Sequence, residues 1–269
     1  MKLRVQDHEA YAYTGGKAFD PALPCLVFVH GALHDHSVWT LLARWFAHHG
    51  RGVLALDLPG HGRSAGPALD SIEHSADWLL AVLDAAGVQQ AAVAGHSMGS
   101  LIALEVAARA PERISRLLML GTAYPMKVSD ALFTAARDQP RKAIQMVNSF
   151  SFSTTAGKPS YPGPGAWMHG GNQVLMERQV AQARRQQDID LFTHDFQVCD
   201  RYAGALQAAA QVRCPVHFVL GGRDQMAPPR ASRELGTALK AQLTTLPCGH
   251  HLMAEAPEAA LHALRQALA

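Results

Sequence analysis

Three residues far apart in the chain could together carry acyl chemistry: Ser97, Asp224 and His250. A serine hydroxyl is a poor nucleophile at neutral pH. It needs an imidazole to take its proton, and that imidazole needs an acceptor on its far nitrogen. Ser97 stands in Gly95-His96-Ser97-Met98-Gly99, which fits G-x-S-x-G. Asp224 closes Gly221-Gly222-Arg223-Asp224, and His250 follows Gly249. Each lies just past a run that reads as a buried strand, so all three fall at one sheet edge in the order Ser, Asp, His.

The pentapeptide alone is weak, and its context gives it meaning. Apolar residues 91–94 precede it, and good helix formers follow over 98–109 until Pro111 stops them. A serine between a buried strand and a buried helix reads as a nucleophile elbow. Gly95 and Gly99, lacking Cβ atoms, let strand and helix approach closely there. The helix N-terminus brings unpaired N–H groups, that of Met98 included, close to Ser97 Oγ, where they suit a developing oxyanion. A second donor is expected after His30-Gly31, from Ala32 first, with Leu33 as the fallback.

Rivals exist for each role. His251 competes with His250, which is preferred because it directly follows Gly249 and precedes Glu255-Ala256-Pro257. His96 is expected to point along the elbow and act structurally. Asp57 precedes a Pro-Gly-His-Gly turn, where an aspartate most often accepts from backbone N–H groups. His34 and His36 form an H-x-H pair, but no third ligand or carboxylate stands at suitable spacing, so no metal is expected. No cofactor is expected either.

The elements that must position these groups alternate. Short strands are predicted at 3–5 and 11–14, and buried strands at 24–30, 52–57, 91–94 and 114–120. Their continuous apolar runs suit a parallel sheet covered on both faces. Helices are predicted at 38–48, capped by Ser37, at 75–86, closed by Gly87, and at 98–109. After residue 124 the texture changes: helical stretches are predicted at 129–138, 140–149, 172–187 and 189–200, with a Gly/Pro-rich loop at 157–165. Strands return at 214–220 and 242–246, with helices at 231–239 and from Pro257. The expectation is an α/β core of 1–123 and 204–269 with an eight-stranded, mostly parallel sheet, and a helical cap of 124–203 inserted after the sixth strand. Leu33, Tyr124, Phe150, Trp167, Met168 and His251 are expected to line a pocket beneath that cap.

Composition narrows the function classes. The 269 residues are 48% hydrophobic and 17% charged, which predicts a sizeable core rather than disorder. Lys and Arg number 24 against 22 acids, and no basic stripe suggests nucleic acid. No apolar run is long enough for a membrane span, and residues 1–15 hold no signal-peptide core. The four cysteines form no CxxC and read as reduced thiols in a cytoplasmic protein.

These motifs resemble the α/β-hydrolase fold superfamily. The matching pieces are His30-Gly31 with Trp39 behind it, 57–64 (DLPGHGRS), 95–99, 221–224 with Pro228, and Gly249-His250 with Glu255 and Pro257. The resemblance spans nearly the whole chain apart from the cap. It implies a serine hydrolase whose partner is a small hydrophobic ester-like substrate: a small to medium carboxylic ester, lactone or thioester. The alternatives are a carbon–carbon bond hydrolase, acyltransferase or perhydrolase using the same triad, or a small-molecule receptor with a closing cap. A serine in place of an aspartate nucleophile argues against the dehalogenase and epoxide hydrolase branches. The loop Ala32-Leu33-His34-Asp35 lacks the extra glycines of HGGG-type lipases.

Overall fold

The computed structural model describes residues 1–153 and 164–269, the side chains of 164–166 excepted. Its centre is an eight-stranded sheet formed by β1 (Lys2–Val5), β2 (His8–Tyr13), β3 (Cys25–Val29), β4 (Gly52–Leu56), β5 (Ala91–His96), β6 (Ile114–Leu120), β7 (Val216–Gly221) and β8 (Gln242–Leu246). The spatial order is β1-β2-β4-β3-β5-β6-β7-β8. The β1–β2 and β2–β4 pairs are antiparallel and the rest are parallel. Every residue of β3, β4 and β5 is buried, as strands covered on both faces require, whereas the edge strands β1 and β8 are half exposed.

Helices cover both faces. The helices are α1 (Thr40–His48), α2 (Ile72–Ala85), α3 (Met98–Arg109), α4 (Asp130–Asp138), α5 (Pro140–Ser151), α6 (Pro164–Gln187), α7 (Leu191–Arg201), α8 (Ala205–Ala209), α9 (Arg233–Ala238), α10 (Leu252–Glu255) and α11 (Pro257–Leu268). One core layer joins α1 and α11, through Leu42, Phe46 and Leu264, to Phe28 and Leu120 of the sheet. The opposite layer joins α2, α3, α8 and α9, through Leu79, Leu101, Ala205 and Leu235, to Val27, Val93 and Leu117. This is the α/β-hydrolase architecture that the motifs imply.

Helices α4 to α7 lie between β6 and β7. They build a third apolar cluster of Ile144, Val147, Met176, Leu191 and Phe192 around a residue of the sheet domain, Leu33. Among the described residues, no helix is long and apolar enough to cross a membrane.

Three local expectations change. Ser37 does not cap a helix at 38. Asp35 caps a 3₁₀ turn at His36–Trp39, its carboxylate accepting from Ser37 N at 2.9 Å, and α1 follows from Thr40. Helix α2 begins at Ile72 rather than 75, because Ser71 accepts from His74 N while the Ser75 hydroxyl bonds back to Ser71 O inside the helix. Helix α6 begins not at 172 but at Pro164, a residue suited to a first turn, and runs through Gly170-Gly171 despite their poor helix propensity. The loop expected at 157–165 lies outside the described residues except for Pro164 and Gly165, which are helical.

Candidate active site

Ser97 separates β5 from α3 with φ 52° and ψ −120°, a backbone conformation that costs about 1–3 kcal/mol and persists only when its surroundings enforce it. Here close packing enforces it. A Cβ on Gly95 would overlap Gly99 O, and one on Gly99 would overlap Val29 O. The Ser97 N–H donates to Leu120 O at 2.9 Å, tying the turn to β6. Met98 is the first residue of α3, so its N–H is one of the helix's unpaired donors.

Asp224 and His250 follow β7 and β8. Their pairing is direct: His250 Nδ1 lies 2.7 Å from Asp224 Oδ2, and both residues are buried. Asp224 Oδ1 accepts from the N–H groups of Met226 and Ala227 at 2.8 and 2.7 Å. Burial works against ionising Asp224, but His250 and these two N–H groups outweigh it and hold the carboxyl below its usual range. A carboxylate only accepts, so His250 Nδ1 carries a proton toward Asp224, which leaves Nε2 as the ring nitrogen available to Ser97.

Two further groups hold the His250 loop. His96 Nε2 donates to His250 O at 2.9 Å, and burial, then the charges of His250 and His251, push the His96 pKa well down. Glu255 accepts from Gly249 N at 2.8 Å and from Ser153 N at 3.1 Å, and also bonds the Ser153 hydroxyl. Glu255 thereby joins this loop to the end of α5.

Ser97, His250, His96, Gly31 and Ala32 line one cavity of about 280 Å³. The insertion supplies its apolar wall through Leu132, Met146, Val147, Phe150 and Phe196, and Met226 completes it. Of the residues expected to line the pocket, only Phe150 does. Leu33 is wholly buried in the insertion's own cluster. Tyr124 turns away, its hydroxyl donating to Ala203 O. Trp167, Met168 and His251 line a separate pocket with Leu41 and Met253, where the His251 ring packs against His34 and Phe152, and Trp167 is 73% exposed. Long-range packing of the insertion decides these placements, and aromatic or apolar type alone does not reveal them.

The loop after β3 also separates the two possible donors. Leu33 N–H is taken by Asp195 Oδ2 at 2.9 Å, while Ala32 lines the cavity. Asp57 is engaged elsewhere: Oδ1 accepts from His36 N and lies 2.7 Å from His36 Nδ1, and Oδ2 accepts from Arg63 N. His34 and His36 diverge, His34 Nε2 meeting Asn172. Contrary to the spacing argument, carboxylates do reach His36: Asp35, His36 and Asp57 come within metal-ligand distance of one another. Their atoms are committed to Ser37 N, Arg178, Gln179, Arg63 N and one another, so the cluster closes as a hydrogen-bond network. Asp195 is a site-supporting residue missed in the sequence, and Glu255, though part of the motif with Gly249-His250, carries no assigned role of its own there. An acid on the apolar face of α7, shared with Leu191, Phe192 and Phe196, was the available signal for the first.

The chain spans 62%, 38% and 36% of the lengths of three curated relatives it matches. One is the dihydrolipoyllysine-residue acetyltransferase component of the acetoin cleaving system of Pseudomonas putida, 29% identical over 91% of this chain and 62% of that protein. The pimeloyl-[acyl-carrier protein] methyl ester esterase of Nitrosomonas europaea is 26% identical over 87% of this chain and 92% of that protein. The enol-lactonase of Burkholderia xenovorans LB400 superposes with a TM-score of 0.79, covering 100% of this chain and 99% of that one, at 21% identity, a likeness of fold alone. A sequence model described as the alpha/beta hydrolase family matches residues 26–264, and with the sheet order, the strained strand–helix serine and the strand-end acid and histidine already in place, this chain belongs to that family.

Proposed function

We propose that the protein is a serine hydrolase that cleaves a small to medium carboxylic ester through an acyl-enzyme on Ser97. The observation that carries this reading is His250, hydrogen-bonded to Asp224 behind it, in the same cavity as a serine held at positive φ. His250 Nε2 accepts the Ser97 proton as the hydroxyl attacks the carbonyl, then returns it to the leaving alcohol. Asp224 fixes the tautomer and stabilises the imidazolium. The N–H groups of Ala32 and Met98 hold the oxyanion. Water activated by His250 then releases the acid. Among the described residues no hydrogen bond links the Ser97 hydroxyl to the His250 ring. Catalytic hydrogen bonds often form only once substrate is bound.

Residues 124–203 serve as the cap, and its apolar wall takes the acyl group. A cavity of about 280 Å³ falls just below the roughly 300–1,000 Å³ range of small-molecule sites, which favours short to medium acyl chains. The esterase relative noted above agrees with ester chemistry. The test is turnover of a p-nitrophenyl ester series of increasing acyl length by the wild type and Ser97→Ala, with fluorophosphonate labelling. We expect labelling at Ser97 and loss of nearly all turnover in the variant. Undiminished turnover by Ser97→Ala would end this reading. Faster turnover of β-diketones than of esters would move the chemistry to carbon–carbon cleavage.

A further inference from the structure

Asp195 takes no part in the triad, yet it reaches from α7 of the insertion into the sheet domain and is only 1% exposed. A carboxylate so enclosed is tolerated only with its charge balanced and its oxygens hydrogen-bonded. Both conditions hold. Oδ2 accepts the Leu33 backbone N–H at 2.9 Å and lies 2.9 Å from His61 Nε2, while Oδ1 lies 3.3 Å from His194 Nδ1. The other nitrogen of His61, Nδ1, faces Pro59 O at 3.1 Å. Both ring nitrogens of His61 thus face atoms that can only accept, so the ring carries two protons and a positive charge. Burial opposes the ionisation of Asp195, but His61, His194 and the Leu33 N–H outweigh it and hold the carboxyl well below its usual range.

The Leu33 backbone has φ 59°, in the left-handed region that an L side chain occupies at a cost. Two contacts hold it there. Its side chain is wholly buried among Ile144, Val147, Met176 and Leu191 of the insertion, and its N–H is spent on Asp195. The turn is closed by His34 N donating to Gly31 O at 3.3 Å. Ala32, between them, lines the cavity beside Ser97.

We propose that Asp195, with His61 as its counter-ion, is a positioning residue for the oxyanion-binding loop: by fixing Leu33 it aims the Ala32 N–H at the reacting carbonyl. This rests on the Ser97 reading above. It makes the oxyanion site a joint product of the sheet domain and the insertion, complete only while α7 is seated.

The experiment compares wild type, Asp195→Ala and Asp195→Asn for kcat and KM on a p-nitrophenyl ester, thermal stability, and inhibition by phenylboronic acid. The boronic acid forms a tetrahedral adduct with Ser97 and so reports on the oxyanion site directly. Removing a whole oxyanion donor costs about 10²–10³ in kcat, so misaiming one should cost Asp195→Ala roughly 10- to 100-fold. KM should stay within about 3-fold, and boronate affinity should fall in step with kcat. Asp195→Asn keeps an oxygen for the Leu33 N–H and should recover much of the loss. Should Asp195→Ala fail to fold, Asp195→Asn carries the test alone, with a several-fold drop in kcat matched by the boronate. A lowered melting temperature with kcat and boronate affinity unchanged would make Asp195 a structural clamp only and overturn the proposal. Failure of the Ser97 reading shows separately, as a wild type that neither turns over esters nor takes the fluorophosphonate, and it removes this inference with it.

Discussion

The sheet edge and the helical insertion meet at the same cavity but are held by different physics. At the sheet edge, backbone touches backbone: Gly95 against Gly99 O, Gly99 against Val29 O, and Gly221 against Gly249 O. The insertion is fastened to the sheet domain by side chains that reach across more than a hundred residues. Asp35 accepts from Arg178 at 2.6 Å and Gln179 at 2.7 Å, Gln179 in turn accepts from Gly62 N at 2.9 Å, and Gln187 accepts from Ala68 N at 3.0 Å. Asp195 joins Leu33 and His61 in the same seam. These fastenings belong to α6 and α7. Among the described residues no hydrogen bond from α4 reaches the sheet domain, although α4 contributes Leu132 to the cavity. On the proposed mechanism the chemistry is built on the partner packed backbone to backbone, and the acyl wall on the adjustable one, fastened by side chains.

Breaking the sheet edge should give the largest effects. Asp224→Asn keeps the shape but presents an amide to His250 Nδ1, which favours the wrong tautomer. It should lower kcat by about 10⁴-fold with little change in the fold, read by steady-state kinetics and circular dichroism. Gly95→Ala drives a Cβ into Gly99 O, where only backbone movement can relieve the overlap. It should cost about 3 kcal/mol or more, seen as a fall in the denaturant midpoint, together with loss of fluorophosphonate labelling. Tolerance of Gly95→Ala in both measurements would show that the elbow is looser than its packing implies.

The same contrast explains what could be read from the sequence. The elbow, the strand-end positions of Asp224 and His250, and the sheet itself follow from short local patterns: a glycine spacing, or an apolar run ending in a turn. Asp57 was equally legible, because Pro-Gly-His-Gly brings N–H groups back to it within a few residues. Leu33, Trp167 and Met168 were not. That α6 packs on the sheet-domain loops instead of lining the cavity depends on seam partners such as Asp35 and Gly62, and no local pattern encodes those pairings. Ser37 lost the cap to Asp35 on a finer point, since Asp35 can accept from a backbone N–H two residues on and receive Arg178 as well.

Acyl selectivity probes the adjustable partner. Leu132 on α4 and Phe150 on α5 line the cavity. Leu132→Ala should enlarge it and move the preferred ester toward longer chains by roughly 10-fold in relative kcat/KM, since a methylene in an apolar pocket is worth about 1–3 kcal/mol. Thermal stability should fall modestly, because Leu132 is partly buried against the insertion's apolar cluster. An unchanged chain-length profile would place the acyl group elsewhere than under α4.

The smallest expected effect separates the two regions by charge. At the sheet edge burial drives His30 and His251 toward the neutral form. Burial, then the His61 charge, pushes His30 down to about 4, and burial, then the charges of His34 and His250, pushes His251 well below its usual value. In the seam the order reverses. Burial opposes the charge on His61, but Asp195 outweighs it, aided by Pro59 O and Asp57, and raises the pKa. The unfolded chain protonates all of these histidines near pH 6.5. Histidines whose pKa falls on folding add nothing to stability above that pH and subtract from it as the pH drops from 6.5 toward 4. His61, whose pKa rises, contributes fully below 6.5, and its contribution is lost as the pH climbs through its folded value. Stability should therefore peak near pH 6.5 and decline on both sides. His251→Leu should make the acid limb shallower, and Asp195→Asn should flatten the limb above about pH 6.5, before the cysteines titrate. Melting temperatures measured from pH 4 to 8 decide it. A flat wild-type profile would mean that the two sets of histidines carry the same charge, and the electrostatic half of the contrast between edge and seam would fall.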